Sequence, residues 1–289
     1  MSIIKLLDEF TSEKLTTKSS SRREMFSTLS SFGKKAAMAA VPFGLATNKA
    51  SAATFFQQNS AVDALQLALT LEYLEAEFYM KALDSGVLNG NQRAMDAYMQ
   101  ISKHEDAHVE FLKAGLEGAG ATPVSKPTFD FTAGGAFDPF NEDGIGQETA
   151  YAQLLALAQA FEDTGVRAYK GQAGNLMGTP FLEPALQIHS VEARHASEIR
   201  MIRGVEGWIT GNGDNAAAPN SETAQAAYGL VYDGEGNTMQ GGVDVTTLNF
   251  ASEIVGDVNQ AVTQAFDEPL SGEQAGAIAN LFIVSESDG

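Results

Sequence analysis

Two short segments of the chain place a histidine three residues after a glutamate, which puts both side chains on one face of a helix. They are Glu105-Asp106-Ala107-His108 and Glu192-Ala193-Arg194-His195. A further glutamate precedes each segment: Glu72 lies 33 positions before Glu105, and Glu162 lies 30 before Glu192. Two single glutamates and two Glu-x-x-His pairs on four helices are a ligand set for a carboxylate-bridged pair of metal ions.

The sequence around each glutamate predicts a helix whose apolar face contains the carboxylate. Leu155, Ala158, Glu162 and Val166, for example, follow steps of three and four. Because glutamate is almost never buried without a partner, four carboxylates facing one core would repel unless cations lay between them. The two histidines add neutral nitrogen ligands on the same faces. The predicted metal ligands are Glu72, Glu105, His108, Glu162, Glu192 and His195.

A tyrosine follows each single glutamate by seven positions, Tyr79 after Glu72 and Tyr169 after Glu162. Two interpretations of these tyrosines stay open. They are either core aromatics or donors whose phenol groups hydrogen-bond ligand carboxylates across the bundle and support catalysis from there. The offset of 90 residues between Glu72 and Glu162 predicts pseudo-twofold symmetry about the metal ions.

A second motif uses some of the same residues. His104-Glu105-Asp106-Ala107-His108 fits His-Glu-x-x-His, the helix on which two histidines bind zinc in metalloproteases and the glutamate acts as base. This alternative leaves Glu72, Glu162, Glu192 and His195 without a role. On the preferred interpretation, His104 and His189 lie on an outer face or support the ligands.

The chain resembles the ferritin-like superfamily, and within it bacterial ferritin-like domains and plant desiccation-related proteins. The resemblance rests on the segments 69–79 and 265–270 and on the two Glu-x-x-His pairs, and it covers roughly residues 58 to 205. It implies two iron or two manganese ions and redox chemistry with oxygen or peroxide, of the ferroxidase or catalase-like kind. It leaves open a non-enzymatic role in metal binding or in protection against stress and desiccation.

The predicted fold is all-α: a ferritin-like four-helix bundle with a long crossover between helices two and three, followed by a loop-rich C-terminal extension. The expected organisation is a signal segment over 1–52, the bundle over 53–205 and the extension over 206–289, packed on the bundle. Helices are predicted at about 61–83, 91–116 and 148–170, and a fourth ends at about 203. The crossover spans 118–146, residues 211–242 are expected to be mostly loop, and a short helix is predicted at 274–282. Thr179 and Pro180 are expected to cap and open helix four, and Ser271-x-x-Gln274 to form a capping box. A homo-oligomer is compatible with this architecture, whereas the length of the extension speaks against a ferritin-type cage.

The N-terminus predicts export. Ser21-Arg22-Arg23 precedes a short, mildly apolar stretch and then Ala50-Ser51-Ala52, the order of a twin-arginine signal that ends in an Ala-x-Ala cleavage site. We therefore expect a periplasmic protein that begins at Ala53 and has no stable membrane span, because the apolar stretch is too short to cross a bilayer.

The composition excludes several classes of function. The formal net charge is -19, and the signal segment holds 8 of the 18 Lys and Arg residues but only 4 of the 37 Asp and Glu residues. Nucleic acid is therefore not an expected partner, whereas cations should be attracted. With no cysteine in the chain, disulfides, iron–sulfur clusters and a rubredoxin-type electron donor are excluded.

Overall fold

Four long helices build the core of the protein. The computed structural model describes residues 60–210, 222–254 and 256–284; the predicted signal segment lies outside them. The helices are α1 (Ala61–Asp84), α2 (Gln92–Gly118), α3 (Gln147–Gln172) and α4 (Leu182–Arg203), with a 3₁₀ turn at Ala173–Leu176 after α3. In the bundle, α1 packs chiefly on α2, and α3 on α4. The all-α four-helix bundle is confirmed, and the predicted ends of the first three helices are within a few residues of those observed.

Local sequence explains where α1 begins and ends. Ser60 is its N-cap, with a side-chain oxygen that accepts a hydrogen bond from the backbone N–H of Asp63 at 3.1 Å. Gly86 and Gly90 adopt φ values of 78° and 88° in the connection to α2. Because this left-handed conformation suits glycine, the connection can be short and α1 and α2 run antiparallel.

The start of α4 differs from the prediction. Thr179 and Pro180 do not cap this helix, which begins at Leu182 with Phe181 at the N-cap position. Thr179 instead accepts a hydrogen bond from the backbone N–H of Phe181 at 3.2 Å, in a turn that precedes the helix. The threonine thus stabilises the loop turn before α4 and does not cap the helix itself.

The crossover between α2 and α3 closes one end of the core with aromatic side chains. Phe129, Phe131, Phe137 and Phe140 are all buried. Its backbone also meets the C-terminal end of the chain, because the N–H of Asp130 donates to the carbonyl of Phe282 at 2.7 Å. Phe282 in turn lies edge-on against Phe161 of α3, with ring centroids 4.9 Å apart.

The C-terminal extension contains more regular structure than expected. Its elements are α5 (Glu222–Tyr232), β1 (Met239–Gln240) paired antiparallel with β2 (Val243–Asp244), two 3₁₀ turns (Val245–Thr247 and Asn249–Glu253), α6 (Val258–Thr263) and α7 (Gly272–Asn280). The prediction of mostly loop over 211–242 is therefore wrong for Glu222–Tyr232, while 211–221 lie outside the described residues. The capping box at Ser271 and Gln274 is confirmed, although its helix begins at Gly272 and ends at Asn280.

Helix α3 is buried on both sides. Every residue from 154 to 169 is buried, because the bundle covers one face of α3 while α5 and α7 pack on the other. Such burial all around is typical of a central helix in a larger core. Among the described residues, no helix combines the length and apolar character needed to cross a bilayer.

Candidate metal centre

The four bundle helices bring all six predicted ligands together. Helix α1 provides Glu72, α2 provides Glu105 and His108, α3 provides Glu162, and α4 provides Glu192 and His195. The four glutamates have no solvent exposure at all. The side chain of His108 is 12% exposed and that of His195 is 6% exposed, so the centre is closest to solvent at its two imidazoles.

The ligand atoms form two sets, within each of which all atoms lie within 4.8 Å of one another. We call the sets position A and position B. Position A consists of Glu72, Glu105, His108 and Glu192, and position B of Glu105, Glu162, Glu192 and His195. Glu105 and Glu192 belong to both sets, as bridging carboxylates between two cations would.

Three carboxylates converge on one nitrogen in each set. At position A, Nδ1 of His108 lies 3.2 Å from Glu72, 3.0 Å from Glu105 and 3.1 Å from Glu192. At position B, Nδ1 of His195 lies 3.0 Å from Glu105, 3.2 Å from Glu162 and 3.1 Å from Glu192. The two halves match closely, as the pseudo-twofold arrangement of the sequence predicts.

These side chains fit a pair of metal ions. A single N–H cannot satisfy three carboxylates. Oε1 of Glu105 and Oε1 of Glu192 lie 3.0 and 3.1 Å from an imidazole nitrogen, yet neither accepts a hydrogen bond of good geometry. Buried polar atoms without partners are costly and need an explanation. Two divalent cations would balance four carboxylates and two neutral imidazoles, and mixed oxygen and nitrogen ligation suits iron and manganese alike.

Protons can replace the cations when the centre is metal-free. Burial alone would lower the pKa of His195, but Glu162, Glu105 and Glu192 raise it to about 12. Burial would raise the pKa of Glu192, yet its contacts with His108 and His195 hold it at about 2. Burial, aided by the charge of Glu192, raises the pKa of Glu162 to about 8. Metal binding would thus displace protons from the ligands.

Each tyrosine reaches across the bundle to the opposite half. Tyr79 of α1 donates to Glu162 of α3, and Tyr169 of α3 donates to Glu72 of α1 at 2.5 Å. Both rings are buried. Of the two interpretations left open by the sequence, the structure therefore favours the donor role, although both rings also fill the core. Each phenol fixes the orientation of a carboxylate that only one of the two positions uses.

A comparison with protein families supports the architecture. The model of the family described as ferritin-like domain matches residues 60–205, half of the chain. The chain belongs to the ferritin-like domain family. This match covers all four bundle helices and all six candidate ligands. No curated protein matches the chain.

This ferritin-like protein carries a fifth buried glutamate beside the four glutamates and two histidines of the candidate centre. Glu75 follows Glu72 by one turn of α1 and is 2% exposed, so it faces the core rather than solvent. Burial raises its pKa well above the usual value, and the charges of Glu192, Glu162, Glu72 and Glu105 add to that effect. A Cβ on Gly165 of α3 would lie 3.4 Å from Oε1 of Glu75, so the glycine leaves room for this side chain.

The remaining two histidines lie outside both positions. Nδ1 of His104 lies 2.8 Å from Nε2 of His195, and Nδ1 of His189 lies 2.9 Å from the carbonyl of Val166. His104 therefore does not converge with His108 on a common point, and this geometry gives no support to the metalloprotease alternative. His104 supports a ligand of position B instead.

Sequence reasoning missed two features around the centre. It did not assign Glu75 to the core, although a step of three from Glu72 placed both on one helix face. It also did not find a buried group of three side chains, in which Asp163 accepts from Arg200 at 2.8 and 2.5 Å and from Tyr232 at 2.6 Å. Asp163 directly follows Glu162, but the sequence could not show its contacts, because Arg200 and Tyr232 lie 37 and 69 residues further along the chain.

Proposed function

We propose that this ferritin-like protein binds two iron or two manganese ions at positions A and B and carries out redox chemistry with dioxygen or peroxide. The observation that carries the proposal is the sharing of Glu105 and Glu192 by two otherwise separate ligand sets. Such a pair of ions would supply one-electron redox steps toward a small oxidant. The resemblance noted above supports both the ferroxidase and the catalase-like form of this activity.

The residues of the chain have defined tasks in this proposal. The carboxylates compensate the higher charge of an oxidised pair, and the two phenols hold Glu72 and Glu162 in place. The apolar core around α1 and α3 keeps bulk water away. His108, the most exposed ligand, marks the side from which a small oxidant reaches the centre.

Metal analysis and reconstitution test the proposal together. We expect two ions per chain in the purified protein, and loss of at least one in Glu105→Ala or Glu192→Ala, because each removes a ligand from both positions. Protein reconstituted separately with Fe(II) and Mn(II) should consume dioxygen or decompose peroxide with one of them. His189→Ala, which leaves both ligand sets intact, is the matched control.

Two outcomes would redirect the assignment. Two tightly bound ions without turnover in either form would favour the non-enzymatic role in metal binding or stress protection. One zinc ion per chain, kept in Glu192→Ala and lost in His104→Ala, would favour the metalloprotease alternative.

We also propose that the protein acts in the periplasm after twin-arginine export. The support is the sequence of features in the predicted signal: Arg22 and Arg23, then a short apolar stretch, then a cleavage site after Ala52. Replacing both arginines with lysine should leave an uncleaved precursor in the cytoplasm, detected by fractionation and N-terminal sequencing. Normal periplasmic accumulation of that variant would contradict this route.

A further inference from the structure

The two halves of the centre differ at one hydrogen bond. Nε2 of His195, the ring nitrogen that faces away from the carboxylates, lies 2.8 Å from Nδ1 of His104. His104 precedes Glu105 on α2, and the residue at the same place on α4, before Glu192, is Val191. A valine side chain cannot hydrogen-bond to His108. The imidazole of His195 at position B is therefore hydrogen-bonded by a histidine of α2, whereas α4 offers no equivalent side chain to His108 at position A.

The contact also fixes which nitrogen of His195 carries hydrogen. If Nδ1 binds a cation, hydrogen must reside on Nε2, which then donates to Nδ1 of His104. The other nitrogen of His104 lies 2.7 Å from the side-chain amide of Gln100, whose oxygen can accept once the amide is turned. The rings of His104 and His195 are nearly parallel, at 11°, so the chain of contacts holds the plane of His195 as well as its tautomer.

We propose that His104 is a positioning residue for His195, so that position B binds metal more tightly than position A and fills first. The proposal rests on the metal centre described above. Its physical basis is that a ligand histidine is oriented by the partner of its other nitrogen, and that removing such a partner lowers metal affinity by about 10- to 100-fold. His104 is partly exposed and Gln100 is exposed, so this support extends from the buried centre to the surface of α2.

The first test titrates Mn(II) into the metal-free protein and follows the free ion by electron paramagnetic resonance. The wild type should bind two ions in two steps. His104→Ala should weaken the tighter step by about 10- to 100-fold and leave the weaker step within about twofold. His104→Asn should recover most of the loss, since its Oδ1 can accept from Nε2 of His195 much as Nδ1 of His104 does. His189→Ala should change neither step.

The second test assigns the effect to one position. Glu72→Ala removes a ligand that only position A uses, and Glu162→Ala one that only position B uses. His104→Ala should weaken Mn(II) binding in the Glu72→Ala background and not in the Glu162→Ala background. If the Glu72→Ala protein does not bind Mn(II), the two-step titration of His104→Ala with all six candidate ligands present is the test of the proposal.

The outcomes separate this inference from the proposed function. A wild type that binds no ion would contradict the metal centre itself. A wild type that binds two ions, with both constants unchanged in His104→Ala, would overturn the role of His104 alone. Equal losses in His104→Asn and His104→Ala would also overturn it, because packing rather than an acceptor would then explain the effect.

Discussion

The two tyrosines act on the two single glutamates in a crossed fashion. Tyr79 donates to Glu162 and Tyr169 to Glu72, so a side chain on each half orients a carboxylate of the other. Hydrogen bonds to charged acceptors are among the stronger ones in proteins. At the scale of single residues, the phenols therefore link the two halves of the candidate centre, as do Glu105 and Glu192, which belong to both positions.

Removing these phenols should affect the positions separately. We expect Tyr79→Phe to lower affinity at position B and Tyr169→Phe at position A, each by about 10- to 100-fold, because each loses the donor that orients one ligand. Mn(II) titration of the two variants measures this. Tyr98→Phe is the control, since its hydroxyl donates to the carbonyl of Leu154 at 3.3 Å and its ring lies beside Tyr79. A loss in Tyr98→Phe as large as in Tyr79→Phe would point to core packing instead.

Glu235 offers a pH-dependent test outside the centre. Its Oε1 lies 2.8 Å from Nε of Arg167, while Oε2 is buried without a hydrogen-bond partner. Burial, only partly offset by Arg167, raises the pKa of Glu235 from 4.5 to about 7. The folded chain therefore binds this proton more tightly than the unfolded chain does, and the contribution of Glu235 to stability falls as pH rises from 4.5 to 7.

We expect Glu235→Gln to remove that part of the pH dependence. The gain in the free energy of unfolding relative to wild type should be near zero at pH 4.5 and grow to at most about 3 kcal/mol above pH 7. Urea unfolding of metal-free protein at several pH values measures it. Glu253→Gln, at an exposed position, should show no such trend. A constant difference between variant and wild type at every pH would contradict this account.

At the scale of elements, α3 joins the candidate metal centre to the C-terminal extension. Its inner face carries Glu162, and its outer face carries Arg167, whose guanidinium contacts Glu235 and donates to the carbonyls of Val231, Asp233 and Glu268. The carbonyl of Arg167 also accepts from the backbone N–H of Leu270 at 3.0 Å. The extension thus supports the helix that carries the candidate ligand Glu162.

Gly171 makes this close approach of α3 and the extension feasible. A Cβ at this position would lie 1.8 Å from the carbonyl oxygen of Leu270, so Gly171→Ala must displace backbone. We expect a loss of about 1–3 kcal/mol in the free energy of unfolding and earlier proteolysis of the extension. Gly174→Ala is the control, because nothing lies within 4 Å of its Cβ position. Equal stability of the two variants would show that this contact does not hold the extension.

How far the sequence predicts the protein also depends on scale. The bundle helices and the convergence of six side chains were predictable because residue type and helical spacing are local signals, and the pattern occurs twice. From the sequence, His104 could lie on an outer face or support a ligand, and Glu75 could not be placed in the core. Both positions depend on contacts with Gly165 of α3 and His195 of α4, which only the tertiary structure brings near. Helix α5 was not predicted because its alanine-rich segment within 222–232 is short and lies between stretches rich in glycine and asparagine, which favour loops.

At the scale of the whole molecule, the four buried glutamates of the candidate centre are compatible with a stable fold only when their charges are balanced. Without cations, the buried glutamates are compensated by protons on the carboxyls and imidazoles. With cations bound to the native state alone, the free energy of unfolding rises by about 4 kcal/mol at a thousandfold excess over Kd. We therefore expect the metal-loaded protein to melt at a clearly higher temperature than the metal-free protein.

Calorimetry of the same preparation before and after chelation tests this, with metal content confirmed at each step. The matched control is the double variant Glu105→Ala and Glu192→Ala, which lacks a ligand at both positions and should melt at the same temperature with or without chelator. Equal melting temperatures for metal-loaded and metal-free wild type would contradict a buried pair of cations at positions A and B, because binding to the folded state alone must raise its stability.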